Sequence, residues 1–136
     1  MSHRLLLLSS VCLGLGLVAG LLGSSQAAEA SVRAWVAVQR LDGGLLLLKP
    51  YCQSSQTMTL EYYLLVEKKG RSNSSLSKQA GQVHAPAGQP TGLSTSSLNL
   101  GEGENCRVQL KVMAGRRLLA DEEFWLGPSG RKIDLE

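Results

Sequence analysis

Hydrophobic and polar residues alternate most cleanly between Thr57 and Lys69, in the stretch TMTLEYYLLVEKK. Met58, Leu60, Tyr62, Leu64 and Val66 share one parity while Thr59, Glu61, Tyr63 and Glu67 take the other, the period of a strand with one face in a core. Leu65 is the one residue out of place. Polar, turn-forming residues bound the run on both sides, so it predicts a single strand of about ten residues around which the other strands are laid. Cys106, Val108, Leu110 and Val112 alternate with Arg107, Gln109 and Lys111 in a second amphipathic strand of the same kind.

The remaining elements are read from shorter signals. Val32, Ala34, Val36 and Val38 mark a first strand that closes at the hairpin signal Asp42-Gly43-Gly44. The continuous run Leu45 to Leu48 follows, and is expected to stop at Pro50 or to lie at an edge, because proline cannot donate to a ladder. Gly70 to Ala80 is polar and predicts a loop leading to a short, exposed edge strand, and Gln79 to Thr91, with Pro86 and Pro90, a connection from one sheet to the other. Leu93, Leu98 and Leu100 belong to a further strand, closed by Gly101-Glu102-Gly103. After Ala114-Gly115 the chain turns back into Arg117 to Leu126, where Glu122 breaks the apolar parity and a bulge near Asp121 would restore it. No helical stripe occurs after Ala30. Strands in this order predict an all-β fold, an immunoglobulin-like sandwich of seven antiparallel strands.

The first residues carry a different signal. Arg4, the apolar run Leu5 to Leu22 and the small-residue exit Ser25-Gln26-Ala27 have the form of a cleaved export signal. The competing cleavage point is Ala30, and an uncleaved anchor is the less favoured alternative. The expected organisation is a signal peptide over 1–27, the sandwich over 28–126, and a polar, unordered tail over 127–136. Roughly 110 residues then remain, enough for one core. Fourteen Lys and Arg, less Arg4, face eleven acids. So small a surplus gives no reason to expect a nucleic-acid partner, and no membrane contact is expected once the signal is removed.

Candidate chemistry is sparse. Cys52 and Cys106 remain after export, where disulfides persist. In seven up-and-down strands, however, Cys52 ends the second and Cys106 begins the sixth, which places them at opposite ends of the sandwich. Both are therefore expected to be free, with no disulfide. His84 lies alone in a Pro/Gly-rich connection, and no cluster has metal-ligand spacing, so neither a metal, a cofactor nor a catalytic group is expected. Asp121, Glu122 and Glu123 alternate faces as strand neighbours, and Asn73-Ser74-Ser75 has the form of a glycosylation acceptor. The informative residues are Arg107 and Lys111, outward partners of Val108 and Val112. If their strand pairs with the Thr57–Lys69 strand, Glu61, Tyr63 and Glu67 share that face. Such a face is either solubilising charge pairing or a client-binding surface for another polypeptide, carried by Arg107, Lys111, Tyr63 and Glu61.

Gly70, Ser72, Lys78-Gln79, Pro86-Ala87-Gly88-Gln89-Pro90, Leu93, Ser97-Leu98-Asn99-Leu100, Arg107-Val108, Gly115, Leu118 and Trp125 form an ordered series, continued upstream by Pro50, Gln56 and the central strand. In order and spacing the series resembles the periplasmic curli assembly inhibitors of the CsgC/CsgH family, over nearly the whole exported chain. The resemblance implies an immunoglobulin-like sandwich in a Gram-negative periplasm, expected as a monomer. It also implies a chaperone-like, non-enzymatic role in preventing premature amyloid polymerisation of curli subunits, engaged unfolded or as early aggregates, through transient contacts. Some members carry a Cys-x-Cys pair early in the central strand and were on that account proposed to be thiol-disulfide oxidoreductases. Here Met58 and Leu60 stand at the matching places, so that alternative would have to rest on Cys52 or Cys106.

Overall fold

The computed structural model describes residues 30–134; the signal peptide expected over 1–27 lies outside them. The described chain is an antiparallel sandwich of two sheets. Its strands are β1 (Val32–Arg40), β2 (Leu45–Ser54), β3 (Met58–Lys69), β4 (Ser74–Ala85), β5 (Thr91–Gly92), β6 (Ser96–Asn99), β7 (Asn105–Ala114), β8 (Arg117–Leu126) and β9 (Lys132–Ile133). Seven of them have four or more residues, the number of strands expected from the sequence. One sheet holds β1, then β2, then β5 and β6 along the same edge of β2; the other runs β4-β3-β7-β8-β9. Among the described residues no helix is long and apolar enough to cross a membrane.

The core is built by alternation. Leu60, Tyr62, Leu64 and Val66 of β3 and Cys106, Val108, Leu110 and Val112 of β7 are all buried. Leu64 faces Leu110 and Val66 faces Val108 across the ladder. From the opposite sheet β2 contributes Leu46, Leu48 and Cys52, all fully buried. Burial of this kind is the main favourable term in folding.

Four expectations change on contact with the structure. Pro50 does not end β2, which continues to Ser54. Its carbonyl accepts from Leu93 N at 2.9 Å, so its missing N–H falls on the edge where β5 and β6 leave a gap in the ladder. The partner strand is interrupted where proline has nothing to give. Gly70 to Ala80 is not chiefly a loop: β4 runs for twelve residues, paired along its whole length with β3, and His84 sits exposed within it, opposite Thr59. The bulge falls at Leu119, where the register shifts opposite Val112/Met113. It turns Leu118 outward, half-exposed, and lets Leu119 pack on the core. Glu122 keeps the core parity, but at the sheet margin, where it reaches Lys132 at 3.9 Å. Finally, the tail is not wholly unordered. A turn closed by Gly130 N donating to Gly127 O leads into β9, which pairs Ile133 with Trp125.

The β4 side of the sandwich is open and polar. Ser75, Ser77 and Gln79 of β4 face Ser96 and Asn99 of β6 across a cleft of about 520 Å³. Gln79 Nε2 donates to Ser96 Oγ at 2.9 Å, and Tyr62 Oη lies 2.5 Å from Ser94 Oγ, so two side chains tie the sheets together there. Tyr62 can lie flat because its neighbour is Gly81: a Cβ at that position would stand 2.9 Å from Tyr62 Oη and 3.0 Å from the ring carbons. Gly81→Ala is therefore expected to displace the ring and cost about 1–3 kcal/mol, read as a lower denaturant midpoint at unchanged slope.

Candidate functional site: the outer face of the five-stranded sheet

The register of β3 and β7 brings the four site residues expected from sequence onto one face. Tyr63 lies opposite Lys111, Glu67 opposite Arg107, and Glu61 opposite Met113. Tyr63 is 44% exposed and donates its hydroxyl to Glu61 Oε2 at 3.3 Å, so Glu61 and Tyr63 act as one unit. Arg107 and Lys111 share the face but not the same circumstances. Arg107 Nε donates to Glu123 Oε1 at 3.1 Å, its Nη1 lies 3.8 Å from Glu67, and its Nη2 donates to Gln109 Oε1 at 3.4 Å. Two carboxylates thus spend the charge of Arg107 within the sheet. Lys69 is similarly occupied, 3.7 Å from Glu67 and 5.6 Å from the centre of the Trp125 ring.

Lys111 is different. Asp121 stands opposite it on β8, yet among the described residues neither Lys111 nor Lys78 of β4 makes an ion pair. These two lysines flank a shallow groove of about 510 Å³ with Tyr63, Leu65, Ala80, Gln109 and Met113 along it. Sequence reasoning missed Lys78, Leu65, Ala80 and Met113. Leu65 and Met113 are the apolar residues on the outward parity of the two clearest strands. A break in alternation on a solvent face was the available signal for a contact surface.

The cysteines lie elsewhere. Cys52 and Cys106 are both free thiols and fully buried, in opposite sheets. Burial pushes Cys106 up to about 11, partly opposed by the Lys68 ammonium, and raises Cys52 as well. Neither has the lowered pKa and exposure of a reactive thiol. Because the folded chain holds the Cys106 proton more tightly than the unfolded chain, whose thiol keeps its ordinary value of 9.0, its contribution to stability is intact below pH 9.0. That contribution is expected to be lost as the pH rises from 9.0 to about 11. Urea midpoints measured across that range should fall, and less steeply in Cys106→Ala. Among the described residues no group of three or more His, Cys, Asp or Glu could hold a metal ion.

Comparison with solved structures bears on the fold. The E. coli curli protein CsgC matches with a TM-score of 0.60 at 22% identity, over 68% of this chain and 97% of that one. R. palustris CsgH in solution matches with a TM-score of 0.54 at 25% identity, over 71% and 92%. The fold is CsgC/CsgH-like. No protein-family model matches the sequence, and neither does any curated protein. Against this CsgC/CsgH-like frame, the groove between Lys78 and Lys111 lies on the outer face of the sheet that has β4 as its edge.

Proposed function

We propose that the chain acts in curli assembly, in the periplasm, as a non-enzymatic inhibitor that keeps amyloid subunits from polymerising. The observation that carries this reading is the groove on the outer face of the five-stranded sheet. An apolar floor of Leu65, Met113 and Ala80 lies beside the exposed ring of Tyr63, between two lysines that have no carboxylate partner among the described residues. Such a surface can hold an unfolded chain by an apolar side chain and one or two carboxylates. Each contact is weak, because exposed charges contribute about 0.2–1 kcal/mol apiece. Weak, quickly reversed contacts suit a protein that must release its client for export. The likeness in fold to the E. coli curli protein CsgC supports the setting.

The test is fibre growth of purified curli subunit, followed by a fibril-binding dye, with sub-stoichiometric amounts of the chain. A lengthened lag is expected at low salt. It should shorten towards that of subunit alone as ionic strength rises and the screening length falls from about 10 Å to 3 Å. A lag unaffected at every dose retires the reading. The thiol alternative, using Cys52 or Cys106, has no structural support, since both groups are buried with raised pKa values. A Cys52→Ser/Cys106→Ser variant should inhibit as the parent does at temperatures where it stays folded.

A further inference from the structure

The groove opens towards β4, and β4 has a second unusual property. It is the outermost strand of its sheet, and no described strand pairs with its free edge. Long open edges are normally blunted by proline, bulges, shortness or several charges. Here the pairing with β3 runs unbroken from Lys69↔Ser74 to Met58↔Ala85, without proline and with Lys78 as its one lysine. The other long edge strand, β1, has β8 packed beside it. What keeps β4 soluble is its side chains, which are polar on both faces over Ser74–Gln79 apart from Leu76. Its outward backbone N–H and C=O groups remain a template for one more strand.

We infer that β4 receives an extended segment of the client by antiparallel strand addition, and that Ala80 and Lys78 select its sequence. Antiparallel pairing is the geometry of every ladder in the sandwich. An added strand would lie about 4.8 Å beyond β4. Ala80, the small residue between that edge and Tyr63, leaves room for an aromatic or long apolar side chain of the incoming strand to lean over it onto the Tyr63 ring. Lys78 stands two residues along on the same face, opposite Leu65. In an antiparallel partner the residue two positions after the apolar one falls opposite Lys78, and a carboxylate there is matched. The recognised pattern is therefore apolar-x-acid, within a run free of proline. A second copy of this chain fits the edge poorly. β4 carries Lys78 and no acid, so self-pairing offers no carboxylate to either lysine.

The inference rests on the reading above for its partner, an aggregation-prone chain, and the two can fail separately. The probe is a peptide of about nine residues, serine and threonine around one phenylalanine with a glutamate two positions later, titrated into the folded chain. Amide exchange is expected to slow at alternate residues of Ser74–Ala85. N-methylation of the peptide amides that face the edge should weaken binding at least about tenfold, whereas methylating the alternate amides should change it less than about threefold. Lys78→Glu should cost about three- to tenfold, with an unchanged melting temperature. Binding indifferent to which amides are methylated, no binding at millimolar peptide, or protection of β4 through self-association without peptide would each overturn the strand-addition site. Edge binding with the expected methylation pattern but no effect on curli-subunit polymerisation would leave the site standing and remove the proposed function. Conversely, full inhibition of curli-subunit polymerisation by the parent chain, with a peptide whose binding is indifferent to methylation, would keep the function and remove the site.

Discussion

Reversing both groove lysines, Lys78→Glu with Lys111→Glu, is expected to raise the concentration needed for half-maximal inhibition of curli-subunit polymerisation by about tenfold or more. Each lysine flanks the groove without an ion pair among the described residues, so each charge is directed at solvent or at a client. Replacing attraction by repulsion at two such positions removes about 0.8–4 kcal/mol, taking each attraction lost and each repulsion gained at about 0.2–1 kcal/mol, and 1.4 kcal/mol is tenfold. Stability should scarcely change, since surface substitutions away from special features stay within about 0.5 kcal/mol. Arg107→Ala is the instructive contrast. That side chain is held by Glu123 at 3.1 Å and Glu67 at 3.8 Å. Its removal leaves Glu67 and Glu123 without their shared cation, and is expected to lower the melting temperature slightly while shifting inhibition less than about twofold. If Arg107→Ala abolishes inhibition and the lysine reversals do not, the groove is the wrong surface.

That contrast shows which parts of the site could be read in advance. Parity placed Glu61, Tyr63, Arg107 and Lys111 on one face because both strands are strongly amphipathic, and a strand with five core residues on one parity has only one register that buries them. Parity could not say which cation is free. Glu123 reaches Arg107 from β8, and Lys78 approaches the groove from β4. Those neighbours follow from sheet order, to which the hydrophobic pattern of one strand is blind.

The same blindness explains the misread elements. β4 gave no core signal because part of its inner face, Ser75 to Gln79, lines a polar cleft and not the core. A strand solvated on both sides looks like a loop by composition. Pro50 read as a terminator because the rule concerns an N–H that a neighbour needs. Here the missing donor faces the gap between β5 and β6, where no ladder is asking for it. Leu45 and Leu47 made β2 look continuous rather than alternating, and both are half-buried on the outer face, while Leu46 and Leu48 are fully buried. On that outer face Trp35 stacks on Tyr51 at 5.6 Å between ring centres, with the Arg33 guanidinium 5.3 Å from the Trp35 ring.

Leu110→Ala is the substitution expected to cost the most stability, about 3–5 kcal/mol, and it should leave the groove's chemistry alone. Leu110 is fully buried and stands directly opposite Leu64, itself 1% exposed, where β3 and β7 meet at the centre of the sheet. Leu64 cannot readily collapse into the space, because its strand is held by ladders on both sides, so the cavity term adds to the transfer term. For a domain of this size, with a total stability of about 5–15 kcal/mol, the melting temperature should fall by roughly 12–30 °C. Leu64→Ala combined with Leu110→Ala should be less than additive, since the two cavities merge. Leu65→Ala, one residue along but on the outer face, should cost far less stability and weaken inhibition instead. Melting curves of the three variants, beside inhibition measured per folded molecule at low temperature, separate scaffold from surface. Leu110→Ala should inhibit normally while folded, and Leu65→Ala should fold normally while inhibiting poorly. The reverse pattern would place client contact in the sandwich interior and exclude the outer face as the site of action.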